Sequence, residues 1–322
     1  MIITVTLNAA IDRTLAVPNF RLGRRHRSVE QRSMAGGKGV NVARALKKLG
    51  QPVIATGVAG GPTGTRIIEQ LTEEAILNDF VRIREESRTS IAVVDPTSGE
   101  QTEINERGPT VSEAELELFV DKLLYLAKGA AVCVFSGSLP RGVPTGLYAD
   151  LITEVNKLGV VTVLDSEGEA LRLATRAGPT VVTPNELEAE ELVGHEFSDS
   201  DDHPPALQEI TELGAREAIM TLPTGAVATV GDDGARHMYR VAIEQGVVET
   251  VSSVGAGDSF LAGYVSSRYG GRPPDECLRF AVACGAESVQ HFGAGVIDPK
   301  EVGRLLDEVR VEQLAGHAVS SG

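Results

Sequence analysis

The chain has 322 residues, enough for one large α/β domain or two smaller ones with a sizeable core. Its 45 acidic and 30 basic residues leave a formal charge of −15, which argues against nucleic acid or an anionic membrane as partner. No apolar run approaches the length of a membrane span, the N-terminus lacks the pattern of a signal peptide, and Cys133, Cys277 and Cys284 are too scattered for a disulfide or zinc framework. A cytoplasmic protein with core cysteines is expected.

Short β-rich runs alternate with longer helical periods from residue 2 to about residue 311, the pattern of a mostly parallel sheet covered by helices. In chain order, strands are expected at 2–7, 53–58, 131–137, 160–165, 180–185, 218–222 and 226–231. Helices are expected at 39–50, 63–75, 112–129, 146–159 and 186–194, and three more begin near Asp258, Pro274 and Pro299. Gly50, Gly129 and Gly159 suit helix stops. Residues 11–33 and 88–106 break this rhythm: they alternate like half-exposed strands, and the second reads as a hairpin turning at "DPTSGE". They predict a small β layer inserted twice into a main domain of residues 1–10, 34–87 and 107–315. The acidic run 198–205 reads as a loop, and 316–322 as a flexible tail.

Two glycine-rich motifs carry the chemistry. In "VSSVGAGDSFLAGYV" (251–265), Asp258 follows Gly255–Ala256–Gly257 at the start of an apolar helix, whose first N–H groups lack intrahelical partners and suit an anion. An acid that merely complements the helix dipole is the competing explanation for Asp258 taken alone. In "AGGKGVNVARALKKLG" (35–50), Gly36 and Gly37 permit close backbone approach, Lys38 supplies a cation, and Asn41 projects from the first turn of the next helix. Basic residues also cluster at 21–27 and at Arg82, Arg84 and Arg88, which permits an anionic small substrate.

The two motifs resemble the signatures of the PfkB, or ribokinase-like, carbohydrate kinases. "TLNAAID", "SGSLPRGV", "LDSEGEAL" and "TPNELEAEEL" follow in that family's order, so the resemblance covers nearly the whole chain. "LNAAID", "GGKGVNV", "QTEINERGP" and "SGSLP" are most similar to its hexose-phosphate branch, of the 1-phosphofructokinase and tagatose-6-phosphate kinase type. The resemblance implies a three-layer α/β sandwich with an inserted β-sheet lid, and ATP-dependent, Mg2+-assisted phosphoryl transfer to a hydroxyl of fructose 1-phosphate, tagatose 6-phosphate or fructose 6-phosphate. Asp258 is then the base, and the Gly255, Ala256 and Gly257 segment the anion hole.

Asp12, Gly37 and Asn41 match sugar contacts, and Arg88 matches the position that clamps the phosphate already on the substrate. Lys38 and one of Arg24 or Arg25 are further cations for that phosphate, and Ser138 is a cap of the sugar site or a plain loop residue. Nucleotide contacts fall on Asn185, Thr221, Gly225, Gly257 and Ser288, and Asn185 with Glu188 suits magnesium held through water. Three positions depart from the family: Thr183 stands where related phosphofructokinases often have lysine, Pro223 where a flexible glycine is expected, and His291 and Gly295 at the monovalent-cation site, which argues against potassium dependence.

A kinase of an unphosphorylated sugar or nucleoside, or an inactive sugar-phosphate-binding regulator on the same scaffold, are the alternatives. A dinucleotide-binding dehydrogenase is disfavoured because the first motif is G-G-K-G, not G-x-G-x-x-G. A flat β layer of this size leaves an apolar face, so pairing of two lids into a homodimer is expected.

Overall fold

The computed structural model describes residues 1–232, 235–244 and 246–314; the tail expected at 316–322 lies outside them. Seven strands run parallel in the order β5 (Leu77–Ile83), β4 (Val53–Gly60), β1 (Ile2–Thr6), β8 (Val132–Ser136), β9 (Val161–Asp165), β10 (Val181–Val182) and β11 (Glu217–Leu222). Three antiparallel strands, β12 (Gly225–Asp232), β13 (Ala235–Ile243) and β14 (Val309–Gln313), extend the β11 edge to make ten.

Both faces of this sheet are covered, which is why its central strands read as continuous apolar runs. Val132 and Val134 of β8 enter one core with residues of α1 (Lys38–Lys48), α2 (Gly61–Glu73), α8 (Ala256–Tyr269) and α9 (Pro274–Ser288). Cys133 and Phe135 enter the other, built with α3 (Glu113–Ala127), α4 (Leu147–Lys157), α5 (Gly168–Arg176), α6 (Glu186–Val193) and α7 (His203–Glu212). Among the described residues no helix is long and apolar enough to cross a membrane.

The inserted segments form a second sheet, ordered β3 (Glu30–Gly36), β2 (Ala10–Ala16), β6 (Arg88–Val94) and β7 (Gln101–Asn105). It turns at residues 95–100 as the sequence predicts, and β2 and β6 pair in parallel with Ala10 opposite Arg88. Alternation places Asp12, Thr14, Ser90, Glu103 and Asn105 toward the main body, where they line a cavity. The opposite face carries Leu15, Ile91 and Ile104, the last 56% exposed.

The elements the sequence hid have local causes. Residues 198–205 are a loop only as far as Asp202, because Pro204 and Pro205 lie in the first turn of α7, where a missing N–H costs nothing. The strand expected at 180–185 shrinks to Val181–Val182 because Asn185 already caps α6.

Candidate active site

A cavity of about 570 Å3 opens where the parallel strands end, between the ten-stranded sheet and the small one. The carboxyl ends of β1, β8, β9 and β11 supply Thr6, Ser136, Asp165 and Thr221, as expected for an open α/β sheet. The starts of α1, α6 and α8 supply the remaining floor, each entered by a different local device.

At α8, Gly255 is the N-cap with φ of 76°, and a Cβ there would lie 2.7 Å from the Ala294 methyl, so only glycine fits the turn. The N–H of Ala256 is engaged by the Ser253 carbonyl at 3.2 Å, whereas those of Gly255, Gly257 and Asp258 make no hydrogen bond among the described residues. The available donors are therefore Gly255, Gly257 and Asp258; Ala256 lines the cavity with its amide occupied. A Cβ on Gly257 would meet nothing within 4 Å, so this glycine keeps the approach to the amides open.

Asp258 is 6% exposed and accepts a hydrogen bond from Asn41 Nδ2 at 2.9 Å. Burial, reinforced by the negative charges of Asp165 and Asp12 and opposed by Lys38 and Asn41, pushes its carboxyl up to about 7. Asn41 lies on the first turn of α1, which starts at Gly37 with φ of 96°. The Gly37 N–H faces Asp12 Oδ2 at 3.4 Å, and a Cβ on Gly36 would overlap the Asp12 carboxylate, so the two glycines let the helix start close onto that acid. Burial also raises the Asp12 carboxyl, against the Gly37 N–H and the charges of Arg88 and Arg44.

Arg88 donates from Nε to the Asn8 carbonyl at 3.1 Å and from Nη1 to the Glu106 carbonyl at 3.0 Å, which fixes the guanidinium at the junction of the two sheets. Burial lowers its pKa, opposed by Asp12, Glu167 and Glu106. Ser138 lines the cavity and its hydroxyl accepts from Asn8 Nδ2 at 3.2 Å. Lys38 ends on a carboxylate: Nζ is 2.9 Å from Asp165 Oδ1. Burial disfavours its charge, but Asp165, Glu188 and Asp258 outweigh that and raise its pKa. Arg24 and Arg25 are exposed and line no part of the cavity.

Asn185 and Glu188 form a reciprocal capping box on α6: Asn185 Oδ1 accepts from the Glu188 N–H at 2.9 Å, and Glu188 Oε2 from the Asn185 N–H at 2.8 Å. The spacing that suggests magnesium is thus also a helix-start device. Glu188 nevertheless lines the cavity with Oε1 outside that box, and burial raises its carboxyl. Among the described residues no group of three or more His, Cys, Asp or Glu could hold a metal directly. One free carboxylate oxygen beside Asp165 fits a hydrated magnesium ion, which keeps most of its waters, better than a stripped one.

Of the expected nucleotide contacts, Asn185, Thr221 and Gly257 line the cavity, and Gly225 and Ser288 do not. Gly225 starts β12, where a Cβ would lie 2.0 Å from the Val241 carbonyl, so packing against β13 accounts for it. Ser288 is buried and donates to the Gly285 carbonyl at 2.8 Å. His291 pairs with Glu287 at 2.5 Å, and Gly295 packs under the Asn41 backbone. Sequence reasoning missed Asn8, Asp165 and Arg44. Only Asp165 carried a signal, a carboxylate closing the apolar strand "VVTVLD".

A buried carboxylate beside free amides at a helix start, lining the same polar cleft as a fixed guanidinium, defines a phosphotransferase-like site on an α/β scaffold. The chain belongs to the pfkB family of carbohydrate kinases, whose profile matches residues 3–301. It is 34% identical over 320 residues to a tagatose-6-phosphate kinase of Staphylococcus epidermidis, covering 97% of this chain and 99% of that one. It is 30% identical over 314 residues to a 1-phosphofructokinase of Borreliella burgdorferi, covering 98% and 99%. Phosphofructokinase-2 from Escherichia coli, solved in complex with substrates and products, superimposes with a TM-score of 0.87 at 30% identity, covering 95% of this chain and 98% of that one.

Proposed function

We propose that this kinase transfers the γ-phosphoryl group of ATP to a hydroxyl of a phosphorylated ketohexose, giving a bisphosphate and ADP. The observation that carries this reading is the placement of Asp258, a base held near neutral pKa in the same helical turn as the free Gly257 amide. In the reaction Asp258 accepts the proton of the acceptor hydroxyl as its oxygen attacks the γ-phosphorus in line. The bond to the ADP oxygen breaks, and the Gly255, Gly257 and Asp258 amides stabilise charge on the transferred group. Asp12 and Asn41 orient the sugar, and Arg88 binds its resident phosphate through donors that the Asn8 and Glu106 carbonyls leave free. Asn185, Glu188 and Thr221 lie on the nucleotide side. When bound there through water, magnesium would neutralise charge between the β- and γ-phosphates.

The small sheet acts as a lid: Asp12 and Arg88 lie on its strands, and Gln101 Oε1 accepts from the Ser252 and Ser253 hydroxyls, both at 3.4 Å, tying β7 to the segment before Gly255. Closure would exclude the water that otherwise competes for the phosphoryl group. The half-exposed face with Leu15, Ile91 and Ile104 fits pairing with a second copy, and light scattering at micromolar concentration should give a dimer mass; a strictly monomeric protein would remove that assignment. Three buried free thiols suit a reducing, cytoplasmic setting. An ADP-release assay with ATP, magnesium and a panel of phosphorylated and unphosphorylated ketohexoses tests the reading. Turnover confined to unphosphorylated acceptors would refute it.

A further inference from the structure

Arg44 is a buried arginine outside the motifs' chemistry. It projects from the middle of α1, its side chain 4% exposed, and all five of its N–H donors are engaged. Nε and Nη2 grip Glu74 at 2.5 and 3.0 Å. The remaining Nη2 donor reaches the Ala35 carbonyl at 2.6 Å, and Nη1 reaches the Ala294 carbonyl at 3.3 Å and Asn41 Oδ1 at 3.2 Å. Of these three acceptors Asn41 lines the cavity itself, and the two carbonyls lie on segments that pack behind it. Ala35 precedes the glycines that close onto Asp12, and Ala294 packs directly against Gly255. Asn41 bonds Asp258.

The contact with Asn41 decides chemistry. An amide side chain can present either its oxygen or its NH2 group to Asp258, and only the NH2 group stabilises the carboxylate. A guanidinium has no acceptor, so whichever end faces Nη1 must be the oxygen. Arg44 therefore selects the orientation in which Asn41 Nδ2 points at Asp258. Glu74, across the ion pair, balances the buried charge.

We propose that Arg44 is a positioning residue of the phosphoryl transfer, locking the Asn41 amide with its donor toward Asp258 and bracing the Ala294 segment beneath Gly255. This rests on the reading of Asp258 as the base. Besides Asn41, the charged groups acting on Asp258 are Lys38, from the start of α1, Asp165, from the end of β9, and Asp12, from the small sheet. None is removed by changing Arg44, and Arg44→Lys keeps the positive charge while losing the planar fork.

The test is the pH profile of kcat/KM for the purified enzyme and its Arg44→Lys, Asn41→Ala and double variants, with thermal melting as a check on folding. Arg44→Lys should lose roughly ten- to a hundredfold in kcat/KM, the loss expected when a supporting partner is removed. Its acidic limb should move to higher pH, because a carboxylate that loses a donor protonates more readily. Asn41→Ala should move the limb the same way, and the double variant should keep the limb of Asn41→Ala. A folded Arg44→Lys with lowered activity and an unmoved limb, or a double variant whose limb shifts add, would overturn the proposal.

Should Arg44→Lys fail to fold, Glu74→Gln at the partly exposed partner loosens the same grip. It should shift the limb in the same direction by less, and an unmoved limb there also overturns the proposal. Normal turnover by Asp258→Asn would sink the base assignment and this inference with it. An inactive Asp258→Asn beside an unmoved Arg44→Lys limb would overturn the inference alone.

Discussion

Replacing Asp258 by Asn should stabilise the folded protein at neutral and alkaline pH while leaving its stability near pH 4 almost unchanged. Burial and the neighbouring acids raise this carboxyl from 3.8 to about 7 in the folded state. Between those two values the folded state binds more protons than the unfolded chain, so stability falls as pH rises through that window and levels off above it. A difference of about three pK units corresponds to a ceiling of roughly 4 kcal/mol, of which about 2.5 kcal/mol appears between pH 5 and pH 8. Asn keeps the shape and can accept the Asn41 donor through its own carbonyl, but it carries no charge to desolvate. Urea unfolding of both proteins at pH 5, 6, 7 and 8 reads the difference directly. The gap between variant and parent should widen with pH and stop widening above about 7. A gap that stays constant across this range would mean that Asp258 titrates like an ordinary carboxylate, and the electrostatic account of the site would fall.

The same variant should lower kcat by roughly 10²–10⁴-fold, the usual contribution of a positioned base, and near-parental turnover would remove Asp258 from the chemistry. In the parent enzyme, kcat/KM should fall below a pH of about 7 as Asp258 protonates; a profile flat down to pH 5 contradicts this. Arg88→Ala should raise KM for the phosphorylated sugar by an amount worth about 2–5 kcal/mol while KM for ATP changes little, if the guanidinium held by the Asn8 carbonyl clamps the sugar's resident phosphate as proposed. Loss of ATP affinity instead would mean that the two phosphate sites are exchanged. Gly257→Ala should fold with unchanged stability yet lose activity, because its new methyl enters open cleft space, whereas Gly255→Ala should lower the melting temperature by forcing a methyl against Ala294 at positive φ. Equal melting temperatures for the two variants would contradict the packing argument.

The fold was legible wherever burial on both faces left a long apolar period, as in β1, β8 and α8, because those patterns depend on the chain alone. β5 and β13 were missed for different reasons. β5 lies at the sheet edge, where Leu77 and Asn78 alternate poorly. β13 reads as polar because it lies outside the doubly covered parallel strands, and its pairing with β12 and β14 is what defines it. The site divides the same way. Asp258, Asn41 and the glycines, which line one cavity, were legible because glycines followed by a polar side chain at a helix start form a local pattern that the chain alone displays. Lys38 was legible as a cation but not by its partner: Asp165 is 127 positions away and meets it only because β9 and α1 converge at the mouth of the cleft. The N-x-x-E spacing carried two meanings, and only the hydrogen bonds reveal that Asn185 and Glu188 cap α6 as well as line the cavity.

Why the acid stays where its charge is unfavourable follows from the packing of α8. Every residue from Asp258 to Ser267 is buried, because the helix packs against both α1 and α9 in the core on that face of the sheet. Gly263 admits α9 so closely that a Cβ there would stand 2.8 Å from Cys284 Sγ. A helix held on both sides cannot rotate its first turn outward to hydrate the carboxylate, so the cost of charging Asp258 cannot be relaxed locally. What offsets it is the apolar contact between α8, α9 and the sheet, far from any reacting atom. A substitution that loosens this contact, such as one opening space around Cys284, would let Asp258 reach water, lower its pKa and weaken it as a base without touching the cleft. The close meeting of Gly263 and Cys284 thus contributes to the burial that, with Asp165 and Asp12, raises the carboxyl.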